Sequence, residues 1–239
     1  MSRLDWLIAR PVAHRGLHDA AAGIVENTPS AFAAAVAANY AIECDLRITA
    51  DGEAMVHHDD ALGRLTEGSG RLDAMTAAEL KRVPYRATSD RMISVGELCD
   101  LVGGRVVLVI ELKSRFDGDR RVVARAAQVL SAYRGRAALM SFDPAQMAAL
   151  REIAPTLPRG IVGERRSAGS KRAPAYLLHT LRARPQFIAY SVKDLPAAVP
   201  LAARKIFGLP LLTWTVRTQA DRERAARFAD QMIFEGFRP

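Results

Sequence analysis

"VVLVIEL", residues 106–112, decides how the rest of the chain is read. A half-exposed strand alternates apolar and polar residues. This run is apolar on both faces until Glu111, as a strand covered on both sides must be. Such strands belong to parallel sheets, whose crossovers run through helices. Working outward, β-type runs alternate with Ala-rich helical patterns. Upstream, "PVAH" (11–14) precedes a helix opening at Thr28 with Pro29 in its first turn. "AIECDL" follows, then a polar stretch holding "EAMVHHD" and a short helical "TAAELKRV", and a helix capped by Ser94 runs to Gly103–Gly104. Downstream come helix 119–132, strand 137–142, a helix over about 144–154, strand 159–162 and a helix near 174–182. Strand 186–191, a helix near 197–207, strand 210–216, helix 218–229 and strand 231–234 complete eight strand–helix cycles. The pattern predicts an α/β fold, a (β/α)8 TIM barrel in one domain over 1–239, with a short insertion over about 50–93 after the second strand. An open doubly wound sheet is the alternative, but the first βα turn, "HRGLHDAAAGIVENT", lacks the Gly-x-Gly-x-x-Gly fingerprint of its nucleotide-binding members.

Composition narrows the class. With 49% hydrophobic and 25% charged residues the chain is ordinary globular material, neither disordered nor membranous. No apolar run approaches the roughly 18 residues of a membrane span, and the stretch after Asp5 is shorter than the roughly 7–15 apolar residues of a signal peptide. A soluble, cytoplasmic protein with no stable membrane anchor is expected. Two cysteines, Cys44 and Cys99, are too few for a disulfide scaffold. The 34 basic against 26 acidic residues give a net charge of +8, which favours anionic partners. The arginines are spread singly along helical segments such as "RRVVARAAQVLSAYRGR" and form no aromatic-studded stripe. A solvated basic surface and an anionic small molecule are expected, not nucleic acid.

In a barrel of this kind chemistry gathers at the C-terminal ends of the strands. Those ends carry His14–Arg15, Glu43 and Asp45, Glu111 and Lys113, Ser141 and Phe142, Trp214 and Thr215, and Glu235. His58–Asp59 lies in the excursion after the second strand. In "YAIECDLRIT" (40–49) Tyr40, Ile42, Cys44, Leu46 and Ile48 form one apolar face, while Glu43, Asp45 and Arg47 share the other. Glu43 and Asp45 are thus about 6–7 Å apart along the strand, and Glu111 ends the neighbouring strand. Three converging carboxylates repel by about 4 kcal/mol per pair at 4 Å in an effective dielectric near 20. They must take up protons or share a cation, and oxygen-only ligands suit one hard divalent ion, Mg²⁺, Ca²⁺ or Mn²⁺. The competing reading is a wet barrel mouth, or pairing with Arg47 and Lys113. Gly16 lets the backbone turn tightly, and Arg15 offers a planar fork for two phosphate oxygens. If His14 and His58 meet beside a metal, they suit general acid–base cleavage of a phosphate ester.

"AHRG" (13–16), "ENTPSAF" (26–32), "IECDLRITADG" (42–52), "MVHHDDALGRLTEGSG" (55–70) and "VIELK" (109–113) together resemble the glycerophosphodiester phosphodiesterase family. "SFDP" (141–144), "LTWTV" (212–216) and "ADQMIFEG" (229–236) extend the resemblance over almost the whole chain. It implies a TIM barrel that uses a divalent metal to cleave glycerophosphodiesters to sn-glycerol 3-phosphate and an alcohol. By the same resemblance His14 and His58 match the acid–base pair, and Glu43, Asp45 and Glu111 the metal ligands. Arg15 matches the phosphate contact and Lys113 the lysine beside the metal, while Trp214 reads either as barrel core or, as in the family, as a wall against the glycerol end. His57 is expected to point away from His58. Arg64-Leu65-Thr66, Arg217 and Glu235 depart from the usual Arg-Thr-Thr, Asn and Asp of the family, and bear on which diester is used.

A phospholipase acting on lysophospholipids and a non-catalytic phosphoester-binding barrel are the alternatives. Trp6, Leu7 and Ile8 are expected to plug the barrel's N-terminal end. His18–Asp19 reads as loop surface and His179 as an exposed helical residue. Ser141 and Phe142 read equally as inner packing or site lining.

Overall fold

The computed structural model describes residues 4–165 and 173–239. The decisive strand, β4 (Leu108–Leu112), is buried along its length. It lies parallel between β2 (Ala41–Ile48) and β5 (Ala137–Ser141). The parallel ladder continues through β6 (Arg159–Gly163), β7 (Phe187–Ser191), β8 (Leu211–Val216) and β9 (Gln231–Phe234). β1 (Val12–Ala13) pairs with both β9 and β2, which closes the ring. The result is an eight-stranded parallel TIM barrel. A short strand, β3 (Ala54–Val56), hangs antiparallel on the outer end of β2.

The crossovers are helices whose ends follow local chemistry. α1 (Pro29–Ala37) starts with proline in its first turn, where the missing N–H is not needed. α3 (Val95–Val102) has a reciprocal capping box, in which Ser94 accepts from the Glu97 N–H and Glu97 accepts from the Ser94 N–H; it ends at left-handed Gly103. The insertion supplies α2 (Ala77–Arg82), and the remaining crossovers are α4 (Arg121–Leu130), α5 (Pro144–Ile153), α6 (Ala173–Ala183), α7 (Ala198–Phe207) and α8 (Gln219–Phe228). His179, on α6, is half-buried and not the exposed residue expected. Among the described residues no helix is long and apolar enough to cross a membrane.

Period-2 alternation divides each strand between two cores. In β2 and β4, Ile42, Cys44, Leu46, Leu108, Ile110 and Leu112 pack outward against the helices. Ala41 and Val109 turn inward with Val12, Ala138, Met140, Val162, Phe187, Ala189, Leu212 and Ile233. Gly160 makes room for this inner layer, because a Cβ there would stand 2.4 Å from the Phe187 ring. Leu7 is fully buried against the same layer, with Trp6 and Ile8 packed beside it, so the N-terminal segment plugs the barrel as expected. The inner surface is therefore an apolar floor, and one pleat above it β2 and β4 carry Glu43 and Glu111 while β1 and β9 lead into His14 and Glu235.

The insertion between β2 and α3 has its own small apolar cluster, in which Met55, Leu62, Leu72, Leu80, Tyr85 and Met92 gather with Val25. It lies against the rim of the barrel and carries His57 and His58 on the turn after β3.

Candidate active site

Pairing register brings the acidic residues together. Asp45 on β2 is the direct neighbour of Glu111 on β4, and Glu43 lies one pleat below Asp45. Carboxylate oxygens of Glu43, Asp45 and Glu111 all fall within 4.8 Å of one another, and all three residues are buried. The wet-mouth reading is thereby excluded. Positive charge does converge on them. Lys113 Nζ lies 2.8 Å from Asp45 Oδ1 and 2.6 Å from Glu111 Oε1. Arg15 Nε lies 3.3 Å from Asp45 Oδ2, and the Arg15 backbone N–H donates to Glu43 Oε2 at 3.0 Å. Arg47 points elsewhere, donating to the His58 carbonyl.

The loop after β1 is bent to allow this. Arg15 and Gly16 both have positive φ, and a Cβ on Gly16 would meet Ala31 of α1 at 2.9 Å. Glycine is required there by space as well as by conformation. The tight turn aims the Arg15 N–H at Glu43 while the Gly16 N–H reaches the Glu43 carbonyl.

Titration follows the same geometry. Burial and the flanking carboxylates push Glu43 well above the ordinary range. Burial raises Glu111 as well, reinforced by Asp45 and opposed by Lys113. For Asp45 burial also acts upward, but Lys113 and Arg15 overcome it and hold the group far down. The cluster is thus short of positive charge, with two acids inclined to keep protons. Its donors are all carboxylate oxygens, which fits a hard divalent ion at Glu43, Asp45 and Glu111.

Two imidazoles border this centre, each held by a carboxylate at Nδ1. His14 Nδ1 is 2.5 Å from Glu235 Oε2, and its Nε2 lies 3.9 Å from Glu43. His58 Nδ1 is 2.8 Å from Asp59 Oδ1. Both rings feel the Asp45 charge. Burial lowers both pKa values, against the upward pull of their carboxylates. Glu235 is itself held at about 2: burial opposes ionisation, but hydrogen bonds from His14 and Arg217 prevail. Trp214 stands half-buried at the mouth, edge-on to Phe142 with ring centroids 5.4 Å apart, and its buried Nε1 has no hydrogen-bond partner. Ser141 is packing, since its hydroxyl donates to the Leu112 carbonyl below the rim. His57 is buried, and its Nδ1 has no hydrogen-bond partner.

Four contributors were not assigned from sequence. Glu235 was legible as a strand end and as a departure from the family's usual Asp, but not as the partner of His14. Glu26, inside "ENTPSAF", pairs with Arg15 at 2.6 Å and with Arg64 at 2.7 Å. Asn27 donates to Asp45 Oδ2 at 2.8 Å from a left-handed backbone that glycine or asparagine tolerates best. His18, expected on the loop surface, is instead half-buried with Nε2 3.9 Å from Glu235 Oε2; Asp19 alone of that pair is exposed. The loop folds back over the barrel mouth because Leu17 N–H bonds the Ala31 carbonyl.

A sequence profile described as "Glycerophosphoryl diester phosphodiesterase family" matches residues 14–237. A probable glycerophosphodiester phosphodiesterase 1 of Mycobacterium tuberculosis is 30% identical over 177 residues, 64% of this chain and 64% of the relative, so the chain matches under two thirds of that protein. A glycerophosphodiester phosphodiesterase of Caldanaerobacter subterraneus is 26% identical over 228 residues, covering 89% of this chain and 88% of the relative. The fold superposes on an Oleispira antarctica phosphodiesterase, solved with the product sn-glycerol-3-phosphate, with a TM-score of 0.78 at 19% identity, covering 94% of this chain and 91% of that one.

Proposed function

The chain belongs to the glycerophosphoryl diester phosphodiesterase family, and from that premise we propose that residues 1–239 act as one unit that hydrolyses glycerophosphodiesters to sn-glycerol 3-phosphate and an alcohol. The observation that carries this reading is the pair of Nδ1-anchored imidazoles beside the buried Glu43–Asp45–Glu111 cluster. A barrel that only binds phosphoesters has no use for two such groups. Glycerol 3-phosphate, the product held by the Oleispira antarctica neighbour, is the product to assay.

Glu43, Asp45 and Glu111 are the residues that would hold a divalent ion, Mg²⁺, Ca²⁺ or Mn²⁺. Such an ion supplies Lewis-acid neutralisation of charge on the phosphoryl oxygens. The protein's own groups do the remainder. Arg15 presents its guanidinium to a non-bridging oxygen, steadied by Glu26 at 2.6 Å. Lys113 adds a second positive charge beside Asp45. With the ion bound, the positive charges balance three carboxylates and one diester.

Glu235 and Asp59 fix the Nδ1–H tautomer of His14 and His58, leaving each Nε2 to accept or return a proton. One ring takes the proton of the attacking hydroxyl, whether of water or of the glycerol 2-hydroxyl. The other gives a proton to the departing alkoxide. Trp214 lines the end of the mouth that would receive glycerol.

The test is glycerol 3-phosphate release from glycerophosphocholine. His14→Ala and His58→Ala are expected to lose turnover by at least ~100-fold while melting like the parent, since general acid–base groups contribute about 10²–10⁴. Near-normal turnover in either variant would remove the acid–base assignment. Full activity in excess chelator would count against the ion.

A further inference from the structure

His14, His18 and Glu235 form a second ligand cluster, separate from the three carboxylates. One ligand atom from each falls within 4.8 Å of the others, and Glu235 Oε2 lies 2.5 Å from His14 Nδ1 and 3.9 Å from His18 Nε2. His18 Nε2 is buried and has no hydrogen-bond partner, although the Glu235 carboxylate stands 3.9 Å away. An imidazole nitrogen withheld from water and aimed at a carboxylate, without bonding it, is missing a neighbour. The other oxygen of Glu235 is taken by Arg217 at 2.7 Å, so Oε2 is held toward the two rings.

We propose that His14 Nδ1, His18 Nε2 and Glu235 Oε2 bind a zinc-class ion, and that occupation of this site shuts off the hydrolase. The loss of turnover, though not the metal binding, rests on the role proposed for His14. Two nitrogens and one carboxylate are a zinc donor set with a fourth position left for water. The Glu43–Asp45–Glu111 cluster, with oxygens alone, favours harder ions. The two sites therefore differ in the metal they select.

The present distances are within reach of coordination. A tetrahedral ion with bonds of about 2.0–2.1 Å needs ligand atoms about 3.3 Å apart. His14 Nδ1 and Glu235 Oε2, now 2.5 Å apart, must open, and His18 must close from 3.9 Å. Each movement is under about 1 Å, a side-chain adjustment and not a loop rearrangement. The side chains of His14, His18 and Glu235 are 12%, 19% and 21% exposed, so an ion can enter from the mouth.

The inhibitory consequence follows from proton bookkeeping on one ring. In the tautomer proposed above, His14 carries its single proton on Nδ1, donated to Glu235, and its unprotonated Nε2 lies 3.9 Å from Glu43 Oε2. A metal on Nδ1 needs the electron pair that now holds the Nδ1 proton, so that proton leaves and the neutral ring carries its single proton on Nε2 instead. His14 can then no longer accept a proton at Nε2, and Glu235 no longer orients it.

Co²⁺, which reports nitrogen-rich four- or five-coordinate sites by visible absorption, is the probe. In the full chain with millimolar Mg²⁺ present, one equivalent is expected to give such bands, displaced by Zn²⁺. Glu43→Gln should retain them. His18→Ala and His18→Gln should weaken binding at least tenfold, and His18→Cys should restore it with an added sulfur-to-cobalt band. Micromolar Zn²⁺ should suppress the Mg²⁺-supported turnover of the parent, and His18→Ala should resist it. Absence of the bands, or equal affinity in His18→Ala and the parent, would overturn the site. Bands lost in His18→Ala together with turnover indifferent to bound zinc would leave the site standing and overturn the role given to His14.

Discussion

Replacing Lys113 by methionine removes one positive charge from the acidic centre and keeps the length of the side chain. Lys113 Nζ stands 2.8 Å from Asp45 and 2.6 Å from Glu111, and only 12% of the side chain is exposed. Coulomb's law at an effective dielectric near 20 gives about 6 kcal/mol of gross attraction per contact. Much of this is offset by the desolvation of Lys113 itself, and leaving a buried partner unpaired costs about 3–5 kcal/mol. For a domain of this size that is about 6–20 °C in Tm, at about 2–4 °C per kcal/mol. Glu111 already tends to hold a proton through burial, which places the expected loss toward the lower end. The assay is thermal unfolding of parent and Lys113→Met at pH 7.5, in chelator and then in millimolar Mg²⁺ or Ca²⁺. The variant should melt well below the parent in chelator and regain more than the parent does when the ion is added. A variant within about 2 °C of the parent in chelator would refute the view that Asp45 and Glu111 depend on Lys113 for counter-charge.

Three further outcomes follow from the geometry. Burial and the neighbouring Asp45 carboxylate raise the pKa values of Glu43 and Glu111, so below the ordinary carboxylate range they are protonated folded or unfolded, and the folded chain keeps those protons as pH rises past it. A divalent ion must displace them, and its stabilising effect should be larger at pH 8 than at pH 5; an equal Tm increment at both would contradict it. His57 is held at about 4 by burial, so the stability its neutral form permits is complete above the free value near 6.5 and lost as pH falls toward 4. At pH 5 that loss is about 2 kcal/mol, and His57→Leu should be spared it in denaturant titrations. Gly160→Ala would drive a methyl into the Phe187 ring at 2.4 Å; a cost of about 1–3 kcal/mol is expected by denaturant titration, and an unchanged midpoint would show that the inner layer has slack.

The barrel was legible because apolar β-type runs alternate with helical patterns, and polarity alternates between faces only toward the strand ends, as at Glu43, Asp45 and Glu111. "AIECDL" and "VVLVIEL" disclosed two cores and put Glu43, Asp45 and Glu111 on one side before any pairing was known. Strand and helix ends fell within a few residues of the expected ones, with β4 starting at Leu108 where the apolar run starts at Val106. The contacts that depend on loop path were not legible. His18 looked like loop surface because nothing in "GLHDA" reveals that the loop turns back over the mouth. Glu235 and His14 are separated by 221 positions, and periodicity says only that each ends a strand. Glu26 and Asn27 sat inside a quoted motif, but their partners Arg64 and Asp45 come from other segments. Arg15 and Arg64 share Glu26, and nothing in the sequence shows that these segments meet.

The seam of the barrel has a consequence for how the protein comes into being. β1 is the first strand made and β9 the last, and they are hydrogen-bonded neighbours. Until the seam closes, His14 lacks Glu235. Ring closure therefore assembles the His14–Glu235 pair in one step, and a folding intermediate with an open seam would hold His14 without its Nδ1 anchor.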